Sequence, residues 1–312
     1  MDKVLIILLS ILIGFIIILI QFFLQSGGLK TIKLTNKSSL YYKPSFIICG
    51  ANNSGKTALF YRLVSRTSAE EKEEEEEEEK RNEKITTTVS SIEPNFGEIK
   101  LPITTPSIGK SYQLVDYPGH LKYWNLFTKL IKNDITLSNI KGIVVVIDSS
   151  SANWSKNGSS TGNGAGTSVE VEKITKFLYN LLAITERKQN GIDFLFAVNK
   201  SDLFDSLPIH KIRNILELEI DKLIHNEINN VDKTSGIDVT EELEDNNKEV
   251  NDSASAGYRE NLREFWLSII GSSDGQFTFD KLEGNMDFMS GSVLKNKIDK
   301  WECWFDEKVV NT

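Results

Sequence analysis

The chain has 312 residues and a formal net charge of −8 at pH 7, a length that holds one domain with extensions or two modest ones. Its acidic balance argues against nucleic acid as a direct partner, because binding to phosphate backbones requires a net basic face. The two cysteines, Cys49 and Cys303, lie far apart without a Cys/His cluster. This spacing indicates neither a disulfide framework nor a zinc site, and it fits a reducing compartment.

The N-terminal region predicts a membrane anchor. Residues 4–24 carry no charge, and a helix of that length covers about 30 Å, the thickness of bilayer hydrocarbon. A cleaved signal peptide is the alternative, but its apolar stretch is shorter and residues 25–28 offer weak cleavage chemistry. Lysines follow the span at Lys30, Lys33, Lys37 and Lys43. The positive-inside rule therefore predicts that the large C-terminal part is cytosolic and that residues 1–3 lie on the opposite side.

Beyond a tether at residues 25–43, strand-like and helix-like runs alternate over residues 44–312, which predicts an α/β fold with a mostly parallel central sheet flanked by helices. The predicted strands are Ser45–Cys49, Tyr112–Asp116, Gly142–Asp148, Asp193–Asn199 and Asp287–Met289. The predicted helices are Lys56–Ser65, Tyr123–Ile131, Val169–Arg187, Ile209–Asn226, Tyr258–Ile270 and Val293–Val309. Three polar segments, 67–84, 149–167 and 227–256, are predicted to be mobile surface insertions because they cannot bury enough apolar area to offset their ordering entropy.

The first chemical motif follows the first predicted strand. Residues Gly50 to Thr57 match G-x-x-x-x-G-K-S/T between a strand and a helix, which is the context that a phosphate-binding P-loop requires. Its backbone N–H groups would face phosphate oxygens at a helix N-terminus. Lys56 is expected to contact the β and γ phosphates, and Thr57 to ligate Mg²⁺. A chance match is the alternative, and a P-loop alone leaves kinases, ATPases and GTPases open.

Two later motifs separate these classes. Residues Asp116 to Gly119 match D-x-x-G, in which the carboxylate contacts Mg²⁺ through water and the glycine N–H touches the γ-phosphate. Residues Asn199 to Asp202 match N-K-x-D, whose aspartate accepts two hydrogen bonds from guanine N1–H and the exocyclic amine. Adenine lacks that pair of donors, and a buried group left unpaired is costly. Asp202 therefore predicts GTP rather than ATP.

Three further features of the sequence are weaker evidence for a nucleotide site than these motifs. Ser290 and Gly291 begin the turn after the last predicted strand, where a backbone N–H would meet guanine O6, although an ordinary strand-end turn is the alternative. Thr86, Thr87 and Thr88 are candidates for the threonine that closes over Mg²⁺. His120 stands where many Ras-like proteins carry the glutamine that orients attacking water, and its alternative is a surface residue at the start of a helix.

With these motifs the chain resembles the β subunits of the signal recognition particle receptor, relatives of the Arf and Sar GTPases, and most of all the fungal members. The resemblance rests on the union of the N-terminal span, the GANNSGKT loop, the stretch TVSSIEP at residues 88–94, DYPGH, NKSD and SGS before a tryptophan-bearing last helix. It implies a Ras-like P-loop domain over residues 44–312. It also selects Thr88 as the switch threonine, because TVSSIEP begins there.

The resemblance implies a GTP-binding receptor subunit with a single pass through the endoplasmic reticulum membrane, residues 1–3 lumenal and the C-terminal domain cytosolic. Its switch regions would hold the α subunit of the receptor, and its indirect partners would be the signal recognition particle, the ribosome and the translocation channel. It would contact the bilayer through residues 4–24. GTP hydrolysis, weak or partner-dependent, stays open.

The alternative function is an autonomous membrane-anchored GTPase of the Arf or Sar type in vesicle traffic. Those relatives generally approach membranes through an amphipathic helix or a lipid, and Asp2 excludes the Met-Gly start needed for myristoylation. The predicted span therefore favours the receptor subunit.

The expected ligands are GTP or GDP with Mg²⁺. The predicted nucleotide contacts are Gly50, Asn52, Asn53, Ser54, Gly55, Lys56, Thr57, Ala58, Thr88, Asp116, Gly119, Asn199, Lys200, Asp202, Ser290 and Gly291. The predicted Mg²⁺ ligands are Thr57, Thr88 and, through water, Asp116. The catalytic candidate is His120, in water positioning.

Overall fold

The computed structural model describes residues 43–68, 88–104, 109–154, 168–229, 262–271 and 275–310. The predicted anchor at 4–24, the tether apart from Lys43, and most of the three predicted insertions lie outside these ranges. Within the described ranges, no helix has the length and apolar character that crossing a bilayer requires.

A six-stranded sheet with the order β2-β3-β1-β4-β5-β6 forms the centre of the described part of the chain. Its strands are β1 Ser45–Gly50, β2 Asn95–Leu101, β3 Lys110–Asp116, β4 Ile140–Asp148, β5 Phe194–Asn199 and β6 Met286–Ser290. Strands β1, β3, β4, β5 and β6 pair in parallel, while β2 pairs with β3 in the antiparallel direction. The predicted mostly parallel sheet is confirmed. Parallel strands that are buried on both faces explain the continuous apolar runs of β4 and β5.

Helices connect and flank these strands. They are α1 Lys56–Ser68, α2 Trp124–Lys129, α3 Ser151–Trp154, α4 Val169–Thr185, α5 Ile209–Asn229, α6 at residues 262–270, and α7 Asp299–Val310. Leu63 of α1 and Trp301 of α7 share one buried apolar cluster with Phe46 of β1 and Val144 of β4. This packing places the N-terminus of α1 at the carboxyl end of β1, where a P-loop needs it.

Strand β2 is the element that sequence analysis missed. It is an edge strand in which exposed residues alternate with partly or fully buried ones. A glycine and charged residues separate its apolar residues, so its apolar pattern is weak. A Cβ on Gly97 would lie 2.9 Å from both Phe60 and Val64 of α1. The glycine therefore lets β2 approach α1 closely, and only tertiary packing identifies it as a strand residue.

The predicted helix Val293–Val309 starts too early. Residues 291–297 form a turn instead, bridged between Ser292 and Lys297, and α7 begins at Asp299. Asn296 within this turn has a φ of 55°, which an α-helix cannot contain. Ile298 is buried and lies three residues before the buried Trp301, which is helical spacing, although Ile298 precedes the first residue of α7.

The predicted insertion at 149–167 also starts too early. Ser149 is fully buried and its hydroxyl donates to Asn199 O at 2.8 Å. Trp154 ends helix α3, and its Nε1 donates to Asp148 O at 2.7 Å. A polar composition hid these ordered residues because their stabilising contacts are hydrogen bonds. Helices α1 and α5 likewise extend a short way into the predicted segments 67–84 and 227–256.

Candidate nucleotide-binding site

The loop between β1 and α1 adopts a tight conformation that depends on glycine. Gly50 has a φ of +135° and Gly55 a φ of +98°, a region that side chains with a Cβ rarely enter. An added Cβ on Gly50 would lie 2.3 Å from Val146 O, and one on Gly55 would lie 2.3 Å from Asn199 Nδ2. Strand β4 and the N-K-x-D segment therefore both press against the predicted phosphate loop.

Lys56, the first residue of α1, is buried in this loop. Its Nζ donates to Ala51 O at 2.7 Å, so the ammonium lies across the predicted phosphate cradle. Burial lowers the pKa of Lys56, and the nearby Asp116 carboxylate opposes that shift. Gly119 of the D-x-x-G motif makes room for it, since an added Cβ there would lie 2.5 Å from Lys56 Nζ. The desolvated cation is placed to pair with an anion such as a phosphate oxygen.

Asp116 ends strand β3 and is fully buried beside the start of α1. Its Oδ2 accepts from Thr57 Oγ1 at 2.8 Å, from Asn95 Nδ2 at 2.9 Å and from Ser91 Oγ at 3.4 Å. Burial raises the pKa of Asp116, while these donors pull it down. Its Oδ1 is buried and has no hydrogen-bond partner. A buried carboxylate oxygen that lacks a donor, next to a threonine hydroxyl, is suited to accept a hydrogen bond from the water shell of Mg²⁺.

Ser91 and Asn95 are contacts that the sequence analysis did not predict. Asn95 lies directly opposite Asp116 in the antiparallel β2–β3 ladder, and Ser91 Oγ is 3.1 Å from Thr57 Oγ1. Thr88 is exposed and lines a small cavity together with Thr57, so it lies near the predicted metal position. Its role as a Mg²⁺ ligand stays a prediction, and the competing Thr86 and Thr87 lie outside the described residues.

The base end of the predicted site begins at Asn199, where β5 ends. Asn199 Nδ2 donates to Ser54 O at 2.8 Å, and Asn199 Oδ1 accepts from Val293 N at 3.0 Å. One buried amide thus joins the phosphate loop, the N-K-x-D segment and the turn after β6. Lys200 has a φ of 61°, and its Nζ pairs with Asp148 Oδ2 at 2.6 Å. Asp148 is a further residue that the motifs did not identify.

Asp202 is exposed in the turn after β5, as an aspartate that recognises a ligand edge must be. Its neighbour Ser201 is anchored to the turn after β6, since Ser201 N and Oγ both donate to Gly291 O, at 3.2 and 2.9 Å. Gly291 N donates to Val198 O, and Ser292 N donates to Lys297 O. The turn's first N–H groups are therefore engaged by the protein, and the assignment of Ser290 and Gly291 to guanine O6 stays a prediction.

The remaining predicted contacts lie around the P-loop. Asn52 and Asn53 are exposed at its tip, while Ala58 is half-buried in the first turn of α1 and packs against the apolar core. His120 is exposed, and its Nδ1 accepts a hydrogen bond from Lys122 N at 3.1 Å. Nδ1 of the His120 ring therefore contacts the main chain two residues further on. A cavity beside His120 is also lined by Gly50 and Phe177.

The structure brings the P-loop, the D-x-x-G residues and the N-K-x-D segment to one edge of a parallel sheet, at the carboxyl ends of its strands. This arrangement defines a P-loop nucleotide-binding protein of the small GTPase class. A sequence model of the family described as signal recognition particle receptor beta subunit matches residues 41–286. The chain belongs to this family.

Individual relatives agree with this result. The chain is 31% identical over 272 residues to the signal recognition particle receptor subunit beta of Saccharomyces cerevisiae, covering 86% of this chain and 85% of that one. The mammalian signal recognition particle receptor superposes with a TM-score of 0.52 at 19% identity, over 85% of this chain and 99% of that one. The Chaetomium thermophilum SRb-GTP/SRX complex matches with a TM-score of 0.50 at 17% identity, over 85% of this chain and 98% of that one. The two solved structures show that the fold is shared.

Proposed function

We propose that this chain binds GTP with Mg²⁺ and, in that state, holds the α subunit of the signal recognition particle receptor at the endoplasmic reticulum membrane for protein targeting. The observation that carries the proposal is the hydrogen bond from Asn199 Nδ2 to Ser54 O. It brings the guanine motif and the phosphate loop close enough for one nucleotide to touch both. Family membership supports the receptor role, and SRb of Chaetomium thermophilum forms a complex with GTP and SRX.

Within this proposal the loop from Gly50 to Ala58 surrounds the phosphates, with Lys56 supplying the positive charge. Asp202 recognises guanine, and Asn199 and Lys200 support it. Thr57 and Thr88 ligate Mg²⁺ directly, and Asp116 does so through water. Bound Mg²⁺ supplies charge neutralisation at the phosphates. The unpartnered Asp116 Oδ1 supports this assignment, because a buried carboxylate oxygen requires a hydrogen-bond donor.

The membrane and partner roles extend the proposal. Residues 4–24 anchor the chain in the bilayer as a single span, and the domain from residue 44 onward faces the cytosol. Nucleotide-dependent ordering of the segment around Thr88 and of the segment after Gly119 forms the surface for the α subunit. Through that subunit the chain acts indirectly on the signal recognition particle, the ribosome and the translocation channel.

Nucleotide affinity tests the first half of the proposal. The full chain in detergent is titrated with GTP, GDP and ATP, in the presence and absence of Mg²⁺. We expect GTP and GDP to bind at least about 100-fold more tightly than ATP, because ATP leaves the Asp202 carboxylate without its two donors. Preferential binding of ATP would contradict a guanine site.

Partner capture tests the second half. The chain is isolated from detergent-solubilised membranes loaded with GTP or with GDP, and the co-purified proteins are identified. We expect the receptor α subunit to be recovered in larger amount with GTP. Recovery of vesicle coat proteins in its place would favour an autonomous Arf- or Sar-like GTPase.

A further inference from the structure

The turn after β6, residues 291–297, contacts the base end of the site at two points. Gly291 O accepts hydrogen bonds from Ser201 N and Ser201 Oγ, and Val293 N donates to Asn199 Oδ1. Ser201 directly precedes Asp202 in the chain. The turn therefore holds the main chain directly before Asp202.

The opposite end of the same turn is held by helix α1. Asn296 Oδ1 accepts a hydrogen bond from Arg62 Nη1 and another from Arg66 Nη2, each at 2.8 Å. Arg62 is only 5% exposed, so its guanidinium has been taken out of water at considerable cost unless it is well bonded. Asn296 adopts a φ of 55° and its N–H donates to Val293 O. The side chain of Asn296 therefore contacts α1.

These contacts form a closed ring that joins α1, the turn and the phosphate loop. Helix α1 starts at Lys56 in the phosphate loop and reaches Arg62 after about 9 Å. Arg62 holds Asn296, the turn holds Asn199, and Asn199 Nδ2 returns to Ser54 O in the phosphate loop. A shift of α1 relative to the turn would therefore move the base-recognition residues relative to the phosphate cradle.

We propose that Arg62 and Asn296 are positioning residues for guanine recognition, acting through the 291–297 turn on Ser201 and Asp202. Neither residue belongs to a nucleotide motif. The inference rests on the proposed GTP site. It adds that α1, through Arg62, holds the residues that recognise guanine in position. The competing view is that the contact stabilises the fold alone, without affecting which base is bound.

Asn296→Gly tests this role with little backbone strain, because glycine accepts a φ of 55° and only the side-chain acceptor is lost. The full chain is titrated with GTP and with inosine triphosphate, which lacks the exocyclic amine that Asp202 is expected to bind. We expect GTP affinity to fall about fivefold to tenfold, as for the loss of one or two hydrogen bonds. Affinity for inosine triphosphate should fall by a smaller factor, because this nucleotide keeps only the N1–H donor to Asp202, so the ratio of GTP affinity to inosine triphosphate affinity decreases.

Asn296→Asp is the matched control, because it keeps an acceptor for Arg62 and Arg66 at a position where aspartate tolerates a positive φ. We expect it to retain the preference for GTP. If Asn296→Gly does not fold, Arg62→Met provides the second test, since it keeps the apolar stem and removes the donors; its preference for GTP should narrow in the same way.

Equal weakening of both nucleotides, or an unchanged GTP preference in a folded Asn296→Gly or Arg62→Met variant, would overturn the positioning role. So would a folded Asn296→Asp variant with the narrowed preference. Failure of the unmutated chain to bind GTP is a different result, because it refutes the proposed function itself.

Discussion

The phosphate end and the base end of the candidate site are built in different ways. The phosphate end comes mainly from one continuous loop, and its charged residues Lys56 and Asp116 are buried and hydrogen-bonded to their neighbours. The base end comes from chain segments far apart in sequence, and its central residue Asp202 is exposed. A continuous loop can therefore form a phosphate-binding site from local sequence, whereas base selectivity depends on how several turns are held together.

Lys56→Ala should have the largest effect, because it removes the buried cation from the phosphate end. We expect affinity for GTP and GDP to fall about 100-fold or more, since hydrogen bonds to charged groups are worth about 1.5–3 kcal/mol and the site keeps its anionic Asp116. Capture of the α subunit should fall with it. Calorimetric titration measures the affinity, and Lys211→Ala, an exposed lysine on α5, is the matched control. If Lys56→Ala kept both nucleotide binding and capture of the α subunit, the buried cation would not be needed to bind the phosphates.

Asp202→Asn tests the base end separately. We expect GTP to bind about 50-fold more weakly, while xanthosine triphosphate gains affinity, because the amide can donate to the xanthine oxygen where guanine carries its amine. Competition binding with the two nucleotides measures the exchange of preference. The exposed Asp205→Asn serves as the control. A parallel loss for both nucleotides would show that Asp202 supports the fold and does not contact the base.

Asp116→Asn should weaken the effect of Mg²⁺ on GTP binding and raise the thermal stability of the chain without nucleotide. We expect the gain in GTP affinity on adding Mg²⁺ to be about tenfold smaller, because the amide no longer attracts the hydrated cation. Without nucleotide, the melting temperature should rise by about 2–4 °C, since a desolvated charge is removed. If the Asp116→Asn variant melted at a lower temperature and kept the full gain in GTP affinity from Mg²⁺, the assignment of Asp116 to the Mg²⁺ site would be wrong.

The pH dependence of this stability follows from the direction of the shift. Burial raises the pKa of Asp116 in the folded, unliganded chain above its ordinary value of 3.8. The folded state then holds a proton that the unfolded state has released, so stability falls as the pH rises from the ordinary value through the raised one. Asp116→Asn should remove that contribution. Thermal unfolding across this range, with and without Mg²⁺ and GTP, measures it.

His120→Ala should have the smallest effect on binding. The side chain is exposed and its Nδ1 is bonded to Lys122 N, so we expect GTP affinity to change less than about twofold. Turnover measured in the same preparation examines the separate question of water positioning. A large loss of affinity would place His120 inside the phosphate end.

Much of the phosphate end could be predicted because its residues are contiguous and their backbone geometry is local. Gly50, Gly55, Lys56 and Thr57 occupy positions that the strand-loop-helix context already defines. Ser91 and Asn95 could not be found in this way. They reach Asp116 because β2 pairs with β3 in an antiparallel register, and β2 carries too weak an apolar pattern to be recognised as a strand.

At the base end, the residues of the N-K-x-D motif were predicted, but the residues that hold them in place were not. Asn199 and Asp202 follow a strongly apolar strand and were identifiable from spacing. The turn at 291–297 was predicted as the start of a helix because it leads directly into Ile298, which has helical spacing to Trp301. Arg62 carried no signal at all, since an arginine in a surface-like helix pattern gives no indication that it is buried against Asn296.

The sequence alone determined the parallel sheet, the order of the nucleotide motifs and the family, because buried strands and phosphate loops impose short-range patterns on residue type. Tertiary structure decided the edge strand β2, the partners of Asp116 and the ring from Arg62 through Asn296 to Ser54. Those features join residues separated by tens to hundreds of positions. Their energetics depend on burial and alignment that exist only after the sheet and helices have packed.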